Sequence, residues 1–506
     1  MRVEAHLPGA TIDAQTMTVV LTGRDLLRDD VVRVARGGER VELAPAAVDR
    51  MAAARSIVEE RLAAGDQIYG GSTAAGVLKR TVLDPAESAA YSNRVVRQHL
   101  VGQGADAPPD VVRATMIRLA NGFASGYPGV RPLLAQRLID ALNDGTAPRI
   151  RILGSVGQSD LAQMADLAAG LFDGVPLEPG EGLALVSSNS FSTGAATVAM
   201  DDAWTLLATA EVAGALSLEA LIANLDSLHP AIGDAHPHRG LRTSLANLGR
   251  LLEGSALHVP GTARALQDPL SFRNLPQLLG ACRDAFDHAD SVLAVELNGS
   301  QGNPIVLAEE RRVMPTANFE SLPLSAALDY LRIVFASLLA SSAERSVKLL
   351  ESPWSGLPTG LASSGDPADP GLSYLGIAAQ SMAAEARLLA APVSFELVST
   401  AHAEGIEDRM SLAPLAGRRL AEMALLGARV VAIELAVATQ AIDLRVMPQR
   451  GRGTAIAAAT VRRHIPFLAR DATVPDLELL VEAVRGRTLV RQDPSRAGPD
   501  TTPADR

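Results

Sequence analysis

Three long stretches with apolar residues at helical spacing constrain the fold of this sequence most. They cover Leu324–Leu350, Ser373–Ala390 and Leu412–Ala441, and the first carries Ala, Leu, Val and Ile around most of its circumference. A helix that is apolar on nearly every side has to be buried, either in a bundle of its own chain or against another subunit. The sequence therefore predicts a mainly α fold with a central bundle of long helices.

Shorter segments with the same periodicity precede the long ones. They are Pro45–Ala64, Val111–Asn121, Val130–Asn143, Leu161–Phe172, Ala195–Leu225, Gly240–Leu252 and Pro276–Asp290. Strand-like alternation is concentrated near the start, at Thr18–Thr22 and Val31–Val41. We expect a small mixed α/β N-terminal domain over residues 1–190, a helical domain over residues 191–490 and a disordered polar tail over residues 491–506.

The charge balance and the single cysteine narrow the possible partners. Among 506 residues, 46 Lys and Arg stand against 57 Asp and Glu, which gives a net charge of −11. We do not expect so acidic a chain to bind nucleic acid or an anionic membrane. Because Cys282 is the single cysteine of the sequence, an intrachain disulfide and a multi-cysteine metal site are excluded.

The sequence also bears on location. Its most membrane-like run, Met423–Ile442, is interrupted by Arg429 and Glu434, so we interpret it as a buried core helix. The first residues do not form a basic segment followed by an apolar stretch, so secretion is not expected. A cytoplasmic protein is the prediction that follows.

Three segments have the composition of functional loops, and each also has a plain structural explanation. The glycine-rich Tyr69–Gly76 lets backbone approach a ligand and offers a tyrosine for acid/base work, but it also suits an ordinary surface loop. The turn Gly154–Leu161 leads into a helix whose N-terminus attracts anions, although capping alone explains its polar residues. The arginine within Gln267–Gln277 suits a carboxylate clamp or an ordinary ion pair.

A cluster of histidines is the remaining candidate. His229, His236 and His238 lack the i, i+4 spacing of helical metal ligands, and no carboxylate motif accompanies them. The sequence therefore predicts no metal site.

Together, the order and spacing of these segments resemble the aromatic amino acid ammonia-lyase and aminomutase superfamily over about residues 15–490. Tyr69–Gly76 resembles the family loop Tyr-Gly-x-x-Thr-Gly-Phe-Gly, and Glu181–Val186 resembles a Glu-Gly-Leu-Ala-Leu stretch. Gln267–Gln277 resembles the family segment Gln-Asp-x-Tyr-Ser-x-Arg followed by Pro-Gln, and Gly302–Pro304 its Asp-Asn-Pro turn. The resemblance implies the family's fold, an active site in the N-terminal domain, a small-molecule substrate and a homotetramer with a shared helical bundle.

The resemblance also implies a role for each matched position. Tyr69 falls on the catalytic base, and Glu407 falls on an acidic position near the site. The positions at the substrate are Ser187, His99, Leu270, Arg273 and Asn303. Among them Arg273 falls on the carboxylate anchor and His99 on the position that selects the substrate.

The departures from the family pattern concern the prosthetic group. Family members build an electrophilic methylidene-imidazolone from Ala-Ser-Gly, because the glycine nitrogen attacks the alanine carbonyl and two waters leave. Here Gln158, Ser159 and Asp160 follow the Gly-Ser-Val-Gly turn. Either the glycine is deleted, or an aspartate replaces it and restricts the backbone that ring closure needs. Ser187 and Leu270 also replace a family asparagine and tyrosine, so we expect no cofactor.

Three functions are compatible with this pattern. The first is a lyase-like enzyme that carries out elimination, addition, isomerisation or cyclisation without the prosthetic group, in secondary metabolism. The second is a non-catalytic scaffold or partner of an active paralogue, since family sites combine residues from several subunits. The third is a true ammonia-lyase with an unorthodox ring at residues 158–160. A ligand-sized pocket around Tyr69 and Arg273 favours the first function, and a filled one favours the second.

Overall fold

A computed structural model describes residues 18–364, 366, 368–395, 405–445, 449–470 and 472–491. The described chain divides into two compact units. The first comprises residues 18–154, 161–194 and 297–319, and the second comprises residues 155–160, 195–296 and 320–491. The predicted division at residue 190 stays a prediction, and the predicted tail lies outside the described residues apart from Arg491.

Nineteen α-helices and six short strands are described. The strands are β1 (Val19–Leu21), β2 (Val41–Leu43), β3 (Gln103–Asp106), β4 (Arg151–Leu153), β5 (Ile305–Leu307) and β6 (Arg312–Met314). The helices are α1 (Arg28–Gly37), α2 (Pro45–Ala63), α3 (Pro85–Gln98), α4 (Pro109–Ala124), α5 (Pro132–Asn143), α6 (Leu161–Phe172), α7 (Glu181–Val186), α8 (Ser190–Leu221), α9 (Ala231–Ala235), α10 (Arg239–Leu251), α11 (Leu270–Arg273), α12 (Leu275–Asn298), α13 (Leu322–Leu350), α14 (Ser352–Ser355), α15 (Ser373–Leu389), α16 (Ala413–Leu444), α17 (Arg452–His464), α18 (Glu478–Arg485) and α19 (Thr488–Arg491).

The mainly α prediction is confirmed, and the long helices lie close to their predicted bounds. Helices α13, α15 and α16 match the three long apolar stretches to within about three residues at each end, as expected for element boundaries. Pro45, Pro132 and Pro323 occupy the first turns of their helices, where the missing N–H has no intrahelical partner to lose.

One predicted strand is wrong. Within Val31–Val41 the residues up to Gly37 form α1, and only Val41 begins a strand. Val31, Val34 and Ala35 share one buried helical face. The helix also has end signals that the strand interpretation overlooked: the Asp30 carboxylate accepts the Leu27 N–H at 2.9 Å, and Gly38 terminates the helix at φ +69°.

Helix α3 was not predicted, although its start is marked in the sequence. Asp84 accepts the Glu87 N–H at 2.8 Å, the Glu87 carboxylate accepts the Asp84 N–H at 3.2 Å, and Pro85 occupies the first turn. This reciprocal capping box fixes the helix N-terminus.

The first unit is built around α4. All residues of α4 from Val112 to Ala124 are buried, and α1, α2 and α5 pack against it. Each pair β1–β2, β3–β4 and β5–β6 forms a two-stranded sheet, and only β1–β2 is parallel. The β1–β2 and β3–β4 sheets lie within the predicted mixed α/β portion, residues 1–190, whereas β5–β6 lies outside it.

In the second unit, α13, α15 and α16 pack against one another. Among the described residues, two helical segments are long and apolar enough to cross a membrane by length and composition alone, Glu181–Leu221 and Leu322–Leu350. In their most apolar windows, 94% and 61% of the residues are buried within the protein, and buried core helices pass the same test.

Candidate functional site

Two tyrosine hydroxyls accept hydrogen bonds from the backbone of the glycine-rich loop of the first unit, Tyr69–Gly76. Gly70 has φ +71°, and a Cβ there would lie 2.2 Å from Leu183 Cδ2, so the loop requires glycine at this position. The Gly76 N–H donates to the Tyr69 hydroxyl oxygen at 2.8 Å, and the Ala75 N–H donates to Tyr91 at 2.8 Å. The backbone at the end of the loop is thereby held in place.

Tyr91 is a residue that sequence reasoning missed. It lies in α3, the helix that was not predicted, and its side chain is buried. Burial raises the pKa of the Tyr91 hydroxyl, although the Ala75 N–H and the Arg94 charge oppose that shift. Tyr91 therefore acts as a neutral structural acceptor, which leaves Tyr69 as the loop's candidate for proton transfer.

Tyr69 lines a small cavity in the first unit, which we call the Tyr69 cavity. Its volume is about 40 Å³, and the predicted residues Ser187 and Asn303 also line it. Arg118 was not predicted here; it is buried in α4 and donates to the Gly299 carbonyl at 2.7 Å. Within the single chain, a cavity of this size has room for water molecules.

The two predicted neighbours of Tyr69 reach the cavity from different elements. Ser187 directly follows the last residue of α7 and is 7% exposed. Asn303 lies in the turn before β5, where its amide oxygen accepts the Thr316 N–H at 3.0 Å. Their positions are thus set by a helix end and by a side-chain hydrogen bond.

The predicted selectivity residue, His99, lies elsewhere in the first unit. It follows the last residue of α3 and is half-buried, and its Nδ1 lies 2.7 Å from the Val95 carbonyl oxygen. Among the described residues it is not part of the lining of the Tyr69 cavity. Its position one turn beyond Val95 accounts for this contact with the helix end.

The predicted carboxylate anchor lies in the second unit, in a groove of about 420 Å³ that Leu270 and Arg273 both line. We call this the Arg273 groove. The Arg273 guanidinium donates to the Asp268 carbonyl at 3.1 Å and to the Gln267 amide oxygen. Leu270 is 63% exposed. Its hydrogen-bond partners are thus a backbone carbonyl and a neutral amide, and the charge of Asp268 also acts on it. A guanidinium without a hydrogen-bonded carboxylate suits attraction of one.

Asp268 stabilises the same segment. Its carboxylate accepts the Asn224 N–H at 2.7 Å. Burial raises the pKa of Asp268, although that hydrogen bond and the charges of Arg264 and Arg273 oppose the shift. Next to this groove the second unit contains a larger one of about 880 Å³, which the sequence did not predict; its polar lining includes Asp226, His258 and Arg242.

Gln158, Ser159 and Asp160 belong to a turn of the second unit, residues 155–160, which we call the 155–160 turn. Gly157 has φ +84°, and a Cβ there would lie 2.2 Å from Ser411 Oγ. Ser411 donates to the Gly157 carbonyl at 2.7 Å and lies 3.0 Å from the Ser321 hydroxyl. The close approach of Ser411 therefore requires glycine at position 157.

Gln158, Ser159 and Asp160 each have a defined environment. Gln158 Nε2 donates to Glu320 Oε2 at 3.1 Å. Ser159 is 5% exposed and has φ +60°. Asp160 is fully buried, and its carboxylate accepts the Ser155 hydroxyl at 3.0 Å. The side-chain hydrogen bonds of Gln158 and Asp160 thus hold the turn in place.

Glu407, the second predicted catalytic residue, lies in the segment that leads into α16 and is half-buried. The structure therefore brings Tyr69 together with Ser187 and Asn303, and brings Leu270 together with Arg273. Tyr69 lies in the first unit and Arg273 in the second. The two cavities supply a phenol for proton transfer and a guanidinium for carboxylate binding.

Comparison with known proteins agrees with this architecture. A family model described as aromatic amino acid lyase matches residues 26–175 and 171–463. A histidine ammonia-lyase of Streptomyces griseus is 35% identical over 503 residues, which cover 94% of this chain and 97% of that protein. A histidine ammonia-lyase of Deinococcus radiodurans is 32% identical, over 93% of this chain and 94% of that protein.

Two solved structures share the fold. One is the ergothioneine-degrading enzyme ergothionase from Treponema denticola in complex with desmethyl-ergothioneine sulfonic acid; its TM-score is 0.88 at 27% identity, over 94% of this chain and all of that one. The other is tyrosine aminomutase from Streptomyces globisporus, with a TM-score of 0.87 at 26% identity, over 94% of this chain and 98% of that one. The chain belongs to the aromatic amino acid lyase family.

Proposed function

We propose that this chain is an enzyme of the aromatic amino acid lyase family that works without the methylidene-imidazolone. It would act in the cytoplasm, in secondary metabolism, on a small substrate that carries a carboxylate. The reaction would be an acid/base elimination, addition, isomerisation or cyclisation. The observation that carries this proposal is the 155–160 turn, where Gln158, Ser159 and Asp160 stand in place of Ala-Ser-Gly.

The residues of the turn fit the prosthetic group poorly. Ring formation joins the amide nitrogen of the third residue to the carbonyl carbon of the first. The third residue, Asp160, is fully buried, and its carboxylate is bound to Ser155. The first, Gln158, is bound to Glu320 through its side chain. A contraction of the backbone there would have to disturb partly buried hydrogen bonds, each of which contributes about 0.5–1.5 kcal/mol.

Tyr69 is the proposed base. The Gly76 N–H donates to its hydroxyl oxygen, so negative charge that develops there after proton release is stabilised. In an elimination, the phenolate would accept the proton next to the acidifying group, and the electron pair of that C–H bond would form the double bond as the leaving group departs. Glu407 is proposed as the second acid/base group.

Arg273 is the proposed carboxylate anchor. A guanidinium presents two parallel N–H donors to a carboxylate, and binding a substrate would exchange the neutral Gln267 oxygen for a charged partner. Ser187, Asn303, His99 and Leu270 are proposed to shape the substrate site.

The substrate must compensate for the missing electrophile, because an α-ammonium group is a poor leaving group without one. A substrate with its own activating group or a better leaving group meets this requirement. The ergothionase named above supports a betaine as one candidate, since its trimethylammonium group cannot be deprotonated to a poorer leaving group and departs as neutral trimethylamine. Ergothioneine therefore belongs in the assay panel beside histidine, phenylalanine and tyrosine.

Two measurements test the proposal. Intact mass spectrometry of the purified chain should give the unmodified mass; a mass lower by two waters would support the unorthodox ammonia-lyase instead. In the assay panel, Tyr69→Phe should lower turnover about 10²-fold or more, as loss of a general base does. The control is Tyr330→Phe, because Tyr330 is 44% exposed on α13. Unchanged turnover in Tyr69→Phe would eliminate the proposed base.

The volume of the Tyr69 cavity, about 40 Å³, favours a second candidate function, that of a non-catalytic partner. Such a chain would bind no ligand by itself but would complete the site of an active relative. Co-expression with an active relative, followed by mass measurement of the purified assembly, tests this function. Mixed assemblies with activity that depends on Arg273 would support it, and exclusive self-assembly would oppose it.

A further inference from the structure

His236 and His238 face each other on the loop between α9 and α10. Their Nε2 atoms are 3.2 Å apart, and the two rings lie edge to face with centroids 4.4 Å apart. Both side chains are exposed. The sequence spacing gave no reason to expect this convergence, because residues two apart in an irregular loop have no fixed relation.

The backbone on each side of the pair is tied down. The His236 N–H donates to the Ile232 carbonyl at 3.0 Å, and the His238 N–H donates to the His236 carbonyl at 2.8 Å. On the other side, the Gly240 N–H donates to the Asp284 carboxylate at 2.8 Å. The backbone that carries the two imidazoles is therefore ordered by the fold, which lowers the cost of ordering when a ligand binds between them.

The separation matches a shared metal ion. Zinc binds imidazole nitrogen at about 2.0–2.1 Å with tetrahedral angles, so two nitrogens on one ion lie about 3.3 Å apart. Imidazole is a preferred ligand of zinc, copper and nickel. We propose that His236 and His238 form a surface site for one divalent transition-metal ion, independent of the proposed catalytic function.

The site would have an open coordination sphere. Among the residues that the structure describes, no group of three His, Cys, Asp or Glu side chains is suitably placed for a metal ion. Water would therefore occupy the other coordination positions, and an external ligand could replace it. The competing explanation is a simple N–H···N hydrogen bond between two neutral imidazoles, and the experiment has to separate the two.

The test is titration of the full chain, free of any histidine tag, with Zn²⁺ and Cu²⁺ by calorimetry and equilibrium dialysis. We expect one ion per chain, with Cu²⁺ bound more tightly than Zn²⁺ and no competition from excess Mg²⁺. His236→Ala and His238→Ala should each lower the association constant at least about tenfold, because each removes one of two protein ligands. His288→Ala, another exposed histidine, is the matched control and should bind as the wild type does.

Two results would overturn the proposal. One is absence of metal binding by the wild type, which would leave the hydrogen-bonded pair as the whole explanation. The other is unchanged binding in the double variant His236→Ala/His238→Ala, which would assign the metal to other residues. Thermal unfolding of each variant without metal checks that the exposed substitutions leave the fold intact.

Discussion

At the scale of single residues, Ser411 determines the shape of the 155–160 turn. It is fully buried, donates to the Gly157 carbonyl at 2.7 Å, and approaches so closely that only glycine fits at position 157. A serine hydroxyl and a glycine 254 positions away in the sequence thus act as one structural unit.

We expect Ser411→Ala to lower the free energy of unfolding by about 1–2 kcal/mol, because the buried Gly157 carbonyl loses its short hydrogen bond. Urea denaturation measures the change. Ser363→Ala is the control, since Ser363 is exposed in the loop between α14 and α15 and should change stability by less than about 0.5 kcal/mol. Equal effects of the two substitutions would show that the Ser411 contact contributes nothing.

Asp268 gives a prediction about pH. Its pKa is raised in the folded protein by burial, so the folded state holds the proton more tightly than the unfolded state does. The resulting stabilisation is fully present below the ordinary aspartate pKa of about 3.9 and is lost as the pH rises through the raised folded value. Asp268→Asn cannot titrate but keeps an oxygen for the Asn224 N–H.

Unfolding midpoints of wild type and Asp268→Asn, measured in a pH series upward from about 4, should therefore diverge. The wild type loses stability relative to the variant until the carboxyl is fully ionised, and the difference is constant above that pH. Parallel curves over the whole series would contradict the raised pKa.

At the scale of elements, a buried ion pair joins α13 to α16. The Arg345 guanidinium donates to both Glu434 oxygens, at 2.5 and 2.9 Å, and the Ser217 and Ser342 hydroxyls donate to the same carboxylate. Both charged side chains are 0% exposed. Such a pair is weak evidence of net stabilisation, but the loss of one partner leaves the other charge buried and uncompensated.

Glu434→Gln should therefore lower the free energy of unfolding by about 3–5 kcal/mol. The matched control is Glu478→Gln, which removes the partially exposed pair that Glu478 forms with Arg429 between α18 and α16, at 3.3 Å. That change should cost less than about 1 kcal/mol. Chemical denaturation of both variants measures the two changes in the free energy of unfolding. A smaller loss at position 434 than at position 478 would contradict the prediction for the buried pair.

At the scale of the whole molecule, α15 exposes an apolar face. Tyr374, Ile377 and Leu388 are 68%, 65% and 77% exposed, and their helical spacing places them on the same side. An apolar stripe of this kind is typical of a surface that another subunit covers. It supports the homotetramer implied by the family resemblance.

We expect light scattering after size exclusion to give four times the chain mass of 52.8 kDa. Ile377→Glu should shift the assembly toward smaller species, because a charge on the stripe is costly to bury. Ala53→Glu, at an exposed position of α2 in the first unit, serves as the control. A stable wild-type monomer would remove the tetramer from the proposal.

The sequence by itself determined the helical class, the bounds of the long helices and the identity of Gln158, Ser159 and Asp160. These features were readable because apolar periodicity, prolines and caps act over a few residues of chain. The same local signals were present at α1 and α3, where capping residues were overlooked.

Only the tertiary structure decided which side chains meet. Three contacts depend on packing between segments or on the exact path of a loop. The Gly76 N–H donates to Tyr69, Ser411 donates to the Gly157 carbonyl, and Arg345 pairs with Glu434. No periodic pattern of the sequence predicts the contact between His236 and His238 either. Contacts of this kind arise because close packing fixes each side chain against neighbours far away in the sequence, and periodicity carries no information about them.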